Sequence, residues 1–94
     1  MRDRLATDQK TRLRECVLRV LARRPTEPLS VSAITFHLRQ SQWLDFRFVE
    51  EDVEEALAML EGFAFVQRVK NPLGGIENWK PSSEGILYYE RNLS

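Results

Sequence analysis

Residues 57–85 read LAMLEGFAFVQRVKNPLGGIENWKPSSEG, and this stretch decides the fold. Leu57, Leu60 and Phe63 recur at the spacing of one helical face. From Phe65 to Lys70 the period changes. Phe65/Gln67 alternate with Val66/Arg68, and Val69 is added, as a half-buried strand requires. Asn71-Pro72-Leu73-Gly74-Gly75 is a turn, in which proline fixes one φ and the glycines allow positive φ. Ile76 to Lys80 returns as a second strand carrying Trp79, and Pro81 ends it. Ser82 or Ser83 then caps a last helix through about Asn92, with Ile86, Leu87, Tyr89 and Leu93 turned inward.

Three helices precede this unit. The spacing of Leu13, Cys16, Val17, Val20 and Leu21 predicts a helix over 8–24 with one apolar face. Thr7 is its expected N-cap, Arg23 and Arg24 suit its negative end, and Pro25 stops it. Pro28 keeps the following residues extended. A short second helix is predicted over 31–40, capped by Ser30, with Val31, Ile34 and Leu38 on one side. Ser41 to Arg47 connects it to a third helix over 49–61. Trp43, Leu44 and Phe46 are too apolar for a connection that stands free in water, so they are expected to pack beneath it. On the third helix Val53, Ala56, Leu57, Leu60 and Phe63 form the buried face.

The order helix, extended piece, helix, helix, hairpin, helix predicts a mainly α domain with a small β hairpin. Here Leu57-x-x-Leu60-x-x-Phe63-Ala64-Phe65-Val66, a Gly-turned hairpin and Trp79-Lys80-Pro81-Ser82-Ser83-Glu84-Gly85 resemble the winged helix-turn-helix domains of small prokaryotic regulators. In those families a leucine-rich step with a glycine closes the third helix and opens the wing. A second step, ending in Thr-x-x-Gly, closes the wing and starts the last helix. The layout is also similar, more loosely, to short winged-helix proteins of Mu-type phages. The match covers about residues 8–92, which predicts a single domain over 1–94 with a flexible 1–7. Ala64 stands where the families have Gly, so Gly62 is the expected left-handed cap. Pro81 stands where an apolar strand residue is usual.

Charge narrows the function. The chain has 14 Lys+Arg and 14 Asp+Glu, a net charge of zero, which excludes binding to nucleic acid or anionic lipid by bulk charge alone. The distribution is uneven: residues 1–47 are net basic and residues 48–94 net acidic. The polar stretch from Met1 has no apolar signal core, and no apolar run is long enough to cross a bilayer, so the expectation is a cytoplasmic protein with no membrane partner. One cysteine, Cys16, and one histidine, His37, exclude an internal disulfide and predict no metal site. Cys16 falls on a core face, and His37 reads as a surface or half-buried residue. No G-x-S-x-G, P-loop or dinucleotide fingerprint is present, and no cofactor or catalytic constellation is expected.

Two function classes remain. In DNA-binding members of the families resembled, the third helix reads the major groove. That face here is Glu50, Glu51, Glu54, Glu55, Ala58 and Glu61, without a Lys, Arg, Asn or Gln. DNA affinity rests largely on cations that neutralise phosphate, so standard docking of this helix is disfavoured. By resemblance, the wing residues Arg68, Lys70, Asn71 and Lys80, with Arg39 and Arg47 beside the connection, would contact double-stranded DNA. The alternative is a protein-interaction module. It would use Glu50, Glu51, Glu54 and Glu55 of helix three, or Arg12, Arg19 and Arg23, which share one side of helix one. Carboxylates near a helix N-terminus and arginines near a C-terminus also arise simply from the dipole. Leu18 is expected to point away from the core. With Leu5, Tyr88 or Leu93 it forms a candidate homodimer seam between helix one and the last helix.

Overall fold

The computed structural model describes residues 5–70 and 73–94, and its elements follow the predicted order. They are α1 (Thr7–Ala22), α2 (Val31–Ser41), α3 (Glu50–Gly62), β1 (Val66–Val69), β2 (Asn78–Pro81) and α4 (Ser83–Asn92). The central helix is α1. It packs against α2, α3, α4 and β2, and its Leu13, Val17, Val20 and Leu21 are buried. Ile34 and Leu38 of α2, Val53, Leu57 and Leu60 of α3, and Val66 and Trp79 of the hairpin complete one core. Cys16 is buried there too. Burial pushes its thiol pKa up, so it is a packing residue and a poor nucleophile.

Several ends differ from the sequence reading. Thr7 is the first residue inside α1 rather than its cap. The Ala6 N–H is satisfied by Gln9 Oε1 at 2.9 Å, and the Thr7 carbonyl accepts from Thr11 Oγ1. Leu5 is buried against the core, so the stretch expected to be flexible through residue 7 is packed from Leu5 onward. Leu18 is only 1% exposed, because the C-terminal helix folds over the side of α1 expected to face water. Phe63 and Leu87, expected inside, are 53% and 47% exposed. Trp43, Leu44 and Phe46 are half-buried against the core, as their apolarity demands.

The serine caps are in place. Ser30 Oγ accepts from the Ala33 N–H at 3.2 Å. Ser82 Oγ accepts from Gly85 N–H at 3.0 Å and donates to the Ala64 carbonyl at 2.6 Å, which ties α4 to the end of α3. Gly85 is obligatory by close approach: a Cβ there would stand 2.9 Å from the Phe65 carbonyl carbon and nearer still to its oxygen.

The exit from α3 corrects the sequence reading. Gly62 lies within the helix, and Ala64 itself takes the left-handed conformation at φ 64°. The Ala64 N–H donates to Glu61 O (2.9 Å) and the Phe65 N–H to Leu60 O (3.0 Å). This pair of bonds closes the helix and requires the residue just before Phe65, Ala64, to be left-handed. The chain then enters β1, which pairs antiparallel with β2 from Val66↔Pro81 to Val69↔Asn78. Pro81, expected to end the strand, occupies the last rung of the ladder, where a proline is tolerated. Gly74 and Gly75 adopt positive φ, as the turn requires. Ile76, expected in the second strand, is exposed ahead of it. Leu29 adds a bridge to the other side of Trp79 through two backbone bonds of 2.9 and 2.8 Å, so the extended piece before α2 anchors the wing.

Candidate nucleic-acid interface

The N-terminal end of α2, the outer face of α3 and the wing enclose a groove lined by Ser32, Glu50, Glu54, Arg68, Ile76 and Glu77, with Val31 and Trp79 beneath. Its charge is dominated by carboxylates. Glu50 accepts from Ser32 Oγ at 3.2 Å, while Glu51 and Glu54 are exposed and have no ion pair among the described residues. Glu55 lies 3.4 Å from Lys10 and ties α1 to α3.

Arg68 is committed within the molecule. Its Nε and Nη2 donate to the two oxygens of Glu61 at 2.9 and 3.2 Å, and its Nη1 donates to Glu77 at 3.3 Å. The guanidinium also sits 5.0 Å above the Trp79 ring. Its hydrogen bonds to Glu61, and then the charge of that carboxylate, raise its pKa further above the ordinary value. A cation fixed by two carboxylates braces the wing against α3 and has little charge left for a phosphate.

Four other predicted cations are exposed and carry no carboxylate partner among the described residues: Arg39, Arg47, Lys70 and Lys80. Arg39 lies over the Phe48 ring at 5.8 Å. Arg39 and Arg47 flank a second groove between the end of α2 and the connection to α3, floored by Leu38, Leu44, Phe46 and Phe48. Lys70 and Lys80 belong to the hairpin. Asn71 lies outside the described residues.

The basic side of α1 makes contacts along the chain, with Arg19 half-buried and Arg12 and Arg23 still exposed. Arg12 donates to the Trp43 carbonyl at 3.3 Å and lies 3.9 Å from Asp45. Arg19 donates to the Leu93 carbonyl at 3.0 Å and stacks 4.9 Å over the Trp43 ring, with Arg23 5.9 Å from the same ring. Of the dimer candidates, Leu18 is in the core, Leu93 is half-buried and Tyr88 is exposed. Tyr88 stacks on Phe65 at 4.8 Å, and Phe65 meets Phe63 at 5.9 Å. The sequence puts Phe63 on the buried face of α3 and Phe65 in the half-buried strand. The structure makes them, with Tyr88, one aromatic ridge beside an apolar groove that reaches Leu18 and Leu60. No signal in the periodicity distinguishes that ridge from core.

Among the described residues no group of three or more His, Cys, Asp or Glu is placed to hold a metal ion, and no helix is long and apolar enough to cross a membrane.

Three helices, a two-stranded wing and a closing helix define a winged helix-turn-helix domain, and comparison with solved structures agrees. A transcriptional regulator from Clostridium thermocellum superposes with a TM-score of 0.73 at 17% identity, over 93% of this chain and 82% of that one. A PadR-like transcriptional regulator from Bacillus cereus gives 0.67 at 13% identity, over 92% and 82%. A mutant of MepR from a multidrug-resistant S. aureus clinical isolate gives 0.71 at 19% identity, over 93% of this chain and 62% of that one. At these identities the likeness is one of fold. It gives no support to the looser resemblance to Mu-type phage proteins. No protein-family model and no curated protein matches the sequence.

Proposed function

We propose that the protein is a non-enzymatic, DNA-binding, transcriptional-regulator-like protein of the cytoplasm that meets the duplex backbone through its wing and the end of α2. The observation that carries this reading is the fold: nearly the whole chain, 93% of it, superposes on a structure described as a transcriptional regulator. Lys70, Lys80, Arg39 and Arg47, which have no carboxylate partner among the described residues, supply the phosphate contacts. Arg68 holds the wing in place and touches DNA only weakly, because Glu61 and Glu77 already neutralise it. The α3 face reads few bases, since its carboxylates repel phosphate.

The test is retardation of duplex DNA at low salt by the natural protein and by a Lys70→Ala, Lys80→Ala double variant. Two lost phosphate contacts reduce the slope of log affinity against log salt by about 1.8. An unchanged slope removes the wing from the interface. A homodimer belongs to the same reading, with Tyr88 and Leu93 at the seam and Phe63 replacing Leu18. A monomeric mass in sedimentation at tens of micromolar counts against it.

One observation favours a second reading. Glu50 and Glu54 in the groove, with Glu51 exposed beside them, leave an open anionic face where a regulator receives DNA. A protein-interaction module would use that face for a basic partner, and such a protein does not retard DNA even at low salt.

A further inference from the structure

A third groove lies where the C-terminal ends of α1 and α2 meet the connection, and the proposed interface does not use it. It is lined by Val20, Arg23, Arg24, His37, Gln40, Ser41 and Trp43. No carboxylate lines it. The guanidiniums of Arg19 and Arg23 both lie over the Trp43 ring, at 4.9 and 5.9 Å. Arg24 and His37 are half-buried at its edge.

Helix ends attract cations, and the negative ends of α1 and α2 account for part of this concentration. They do not satisfy it. Of the carbonyls at these ends, Arg19 O and Leu21 O accept from the backbone N–H groups of Arg23 and Arg24, and Leu38 O accepts from Ser41 Oγ. The side chains of Arg23, Arg24, His37 and Gln40 donate no hydrogen bond to any described residue. Like charges gathered on one indole repel one another unless an anion joins them. Guanidiniums pair best with anions that present several oxygens to parallel N–H donors.

We propose that this groove binds the phosphate group of a small phosphorylated molecule. Arg23 and Arg24 grip its oxygens, His37 and Gln40 donate from the opposite wall, and Trp43 forms the floor. His37 and Gln40 approach from the α2 face opposite Arg39, so the site is separate from the groove of Arg39 and Arg47. It shares no lining residue with the groove between α3 and the wing. The proposal is independent of DNA binding.

The test is an NMR titration of the whole protein with inorganic phosphate at constant ionic strength, following the Trp43 indole N–H and the His37 ring protons. The expected result is a saturable shift of both, half-complete at about 1 mM. An Arg23→Gln, Arg24→Gln double variant, in which neither changed residue belongs to the core, weakens it tenfold or more. Unsaturated drift up to about 50 mM, or equal binding by the variant, overturns the proposal. A short duplex is titrated separately. If the duplex moves these two resonances and inorganic phosphate does not, the groove belongs to the DNA face and the proposal fails. Absence of DNA retardation would sink the regulator reading and leave this titration untouched.

Discussion

Replacing Ala64 with glycine should stabilise the protein. Ala64 is an L-residue held at φ 64°, where its Cβ crowds the following carbonyl. That conformation costs roughly 1–2 kcal/mol for a residue with a side chain and almost nothing for glycine. The side chain is exposed, so removing the methyl opens no cavity. The two bonds that close α3, from the Ala64 and Phe65 N–H groups, are made by backbone and survive the change. Against the relief stands the greater freedom of glycine in the unfolded chain, roughly 0.5–1 kcal/mol. The net gain is therefore up to about 1.5 kcal/mol. With a urea m-value of about 1 kcal/mol/M, the midpoint of unfolding followed by tryptophan fluorescence rises by up to about 1.5 M. The companion change Gly62→Ala separates this exit from the one the sequence suggests. Gly62 is helical, and a Cβ there meets nothing within 4 Å, so alanine gains helix propensity of up to about 1 kcal/mol. Were Gly62 the left-handed residue, the same change would lower stability. A destabilised Ala64→Gly, or a destabilised Gly62→Ala, refutes the reasoning.

Three further outcomes follow from the same contacts. Gly85→Ala drives a methyl into the Phe65 carbonyl, forces the start of α4 away from the wing and costs about 1–3 kcal/mol in urea unfolding. Glu50→Gln, Glu51→Gln and Glu54→Gln together remove three charges that each repel a phosphate at about 10 Å by about 0.4 kcal/mol before screening. DNA affinity in a retardation assay at low salt should therefore rise by about tenfold and by much less at 0.15 M. Arg68→Ala leaves DNA affinity within about twofold, because Glu61 and Glu77 already occupy that cation. A tenfold loss, with the amide shifts of β1 and β2 unchanged so that the wing is still in place, would show that Arg68 contacts phosphate.

The fold was legible because its signals are local. Period-three apolar residues, serine caps and the Gly74-Gly75 turn state the elements directly, and the resemblance of the Trp79–Gly85 step places the end of the wing. What was illegible is decided by contacts between distant segments. Leu18 looks exposed on the wheel of α1, yet α4 covers it. Arg19 looks free until the Leu93 carbonyl, 74 residues away, is brought to 3.0 Å of it. Arg68 reads as a wing cation, and only the fold sets the Glu61 carboxylate beside it. The exit of α3 was misread because glycine is the usual left-handed residue and Gly62 stood close by. Closure geometry, which counts residues from the last helical bond, selects Ala64 despite its methyl group. The candidate interface was the least legible part. Its net sign depends on which charges neutralise one another inside the molecule, and the sequence carries no record of that pairing.

The most direct measurement is the salt dependence of duplex binding by the natural protein. Four phosphate contacts, from Arg39, Arg47, Lys70 and Lys80, predict a log–log slope of about −3.6, with retardation at low salt fading as salt rises. No retardation of duplex DNA by micromolar protein at about 50 mM salt, where such contacts are strongest, would contradict the account and transfer the anionic α3 face to a basic protein partner.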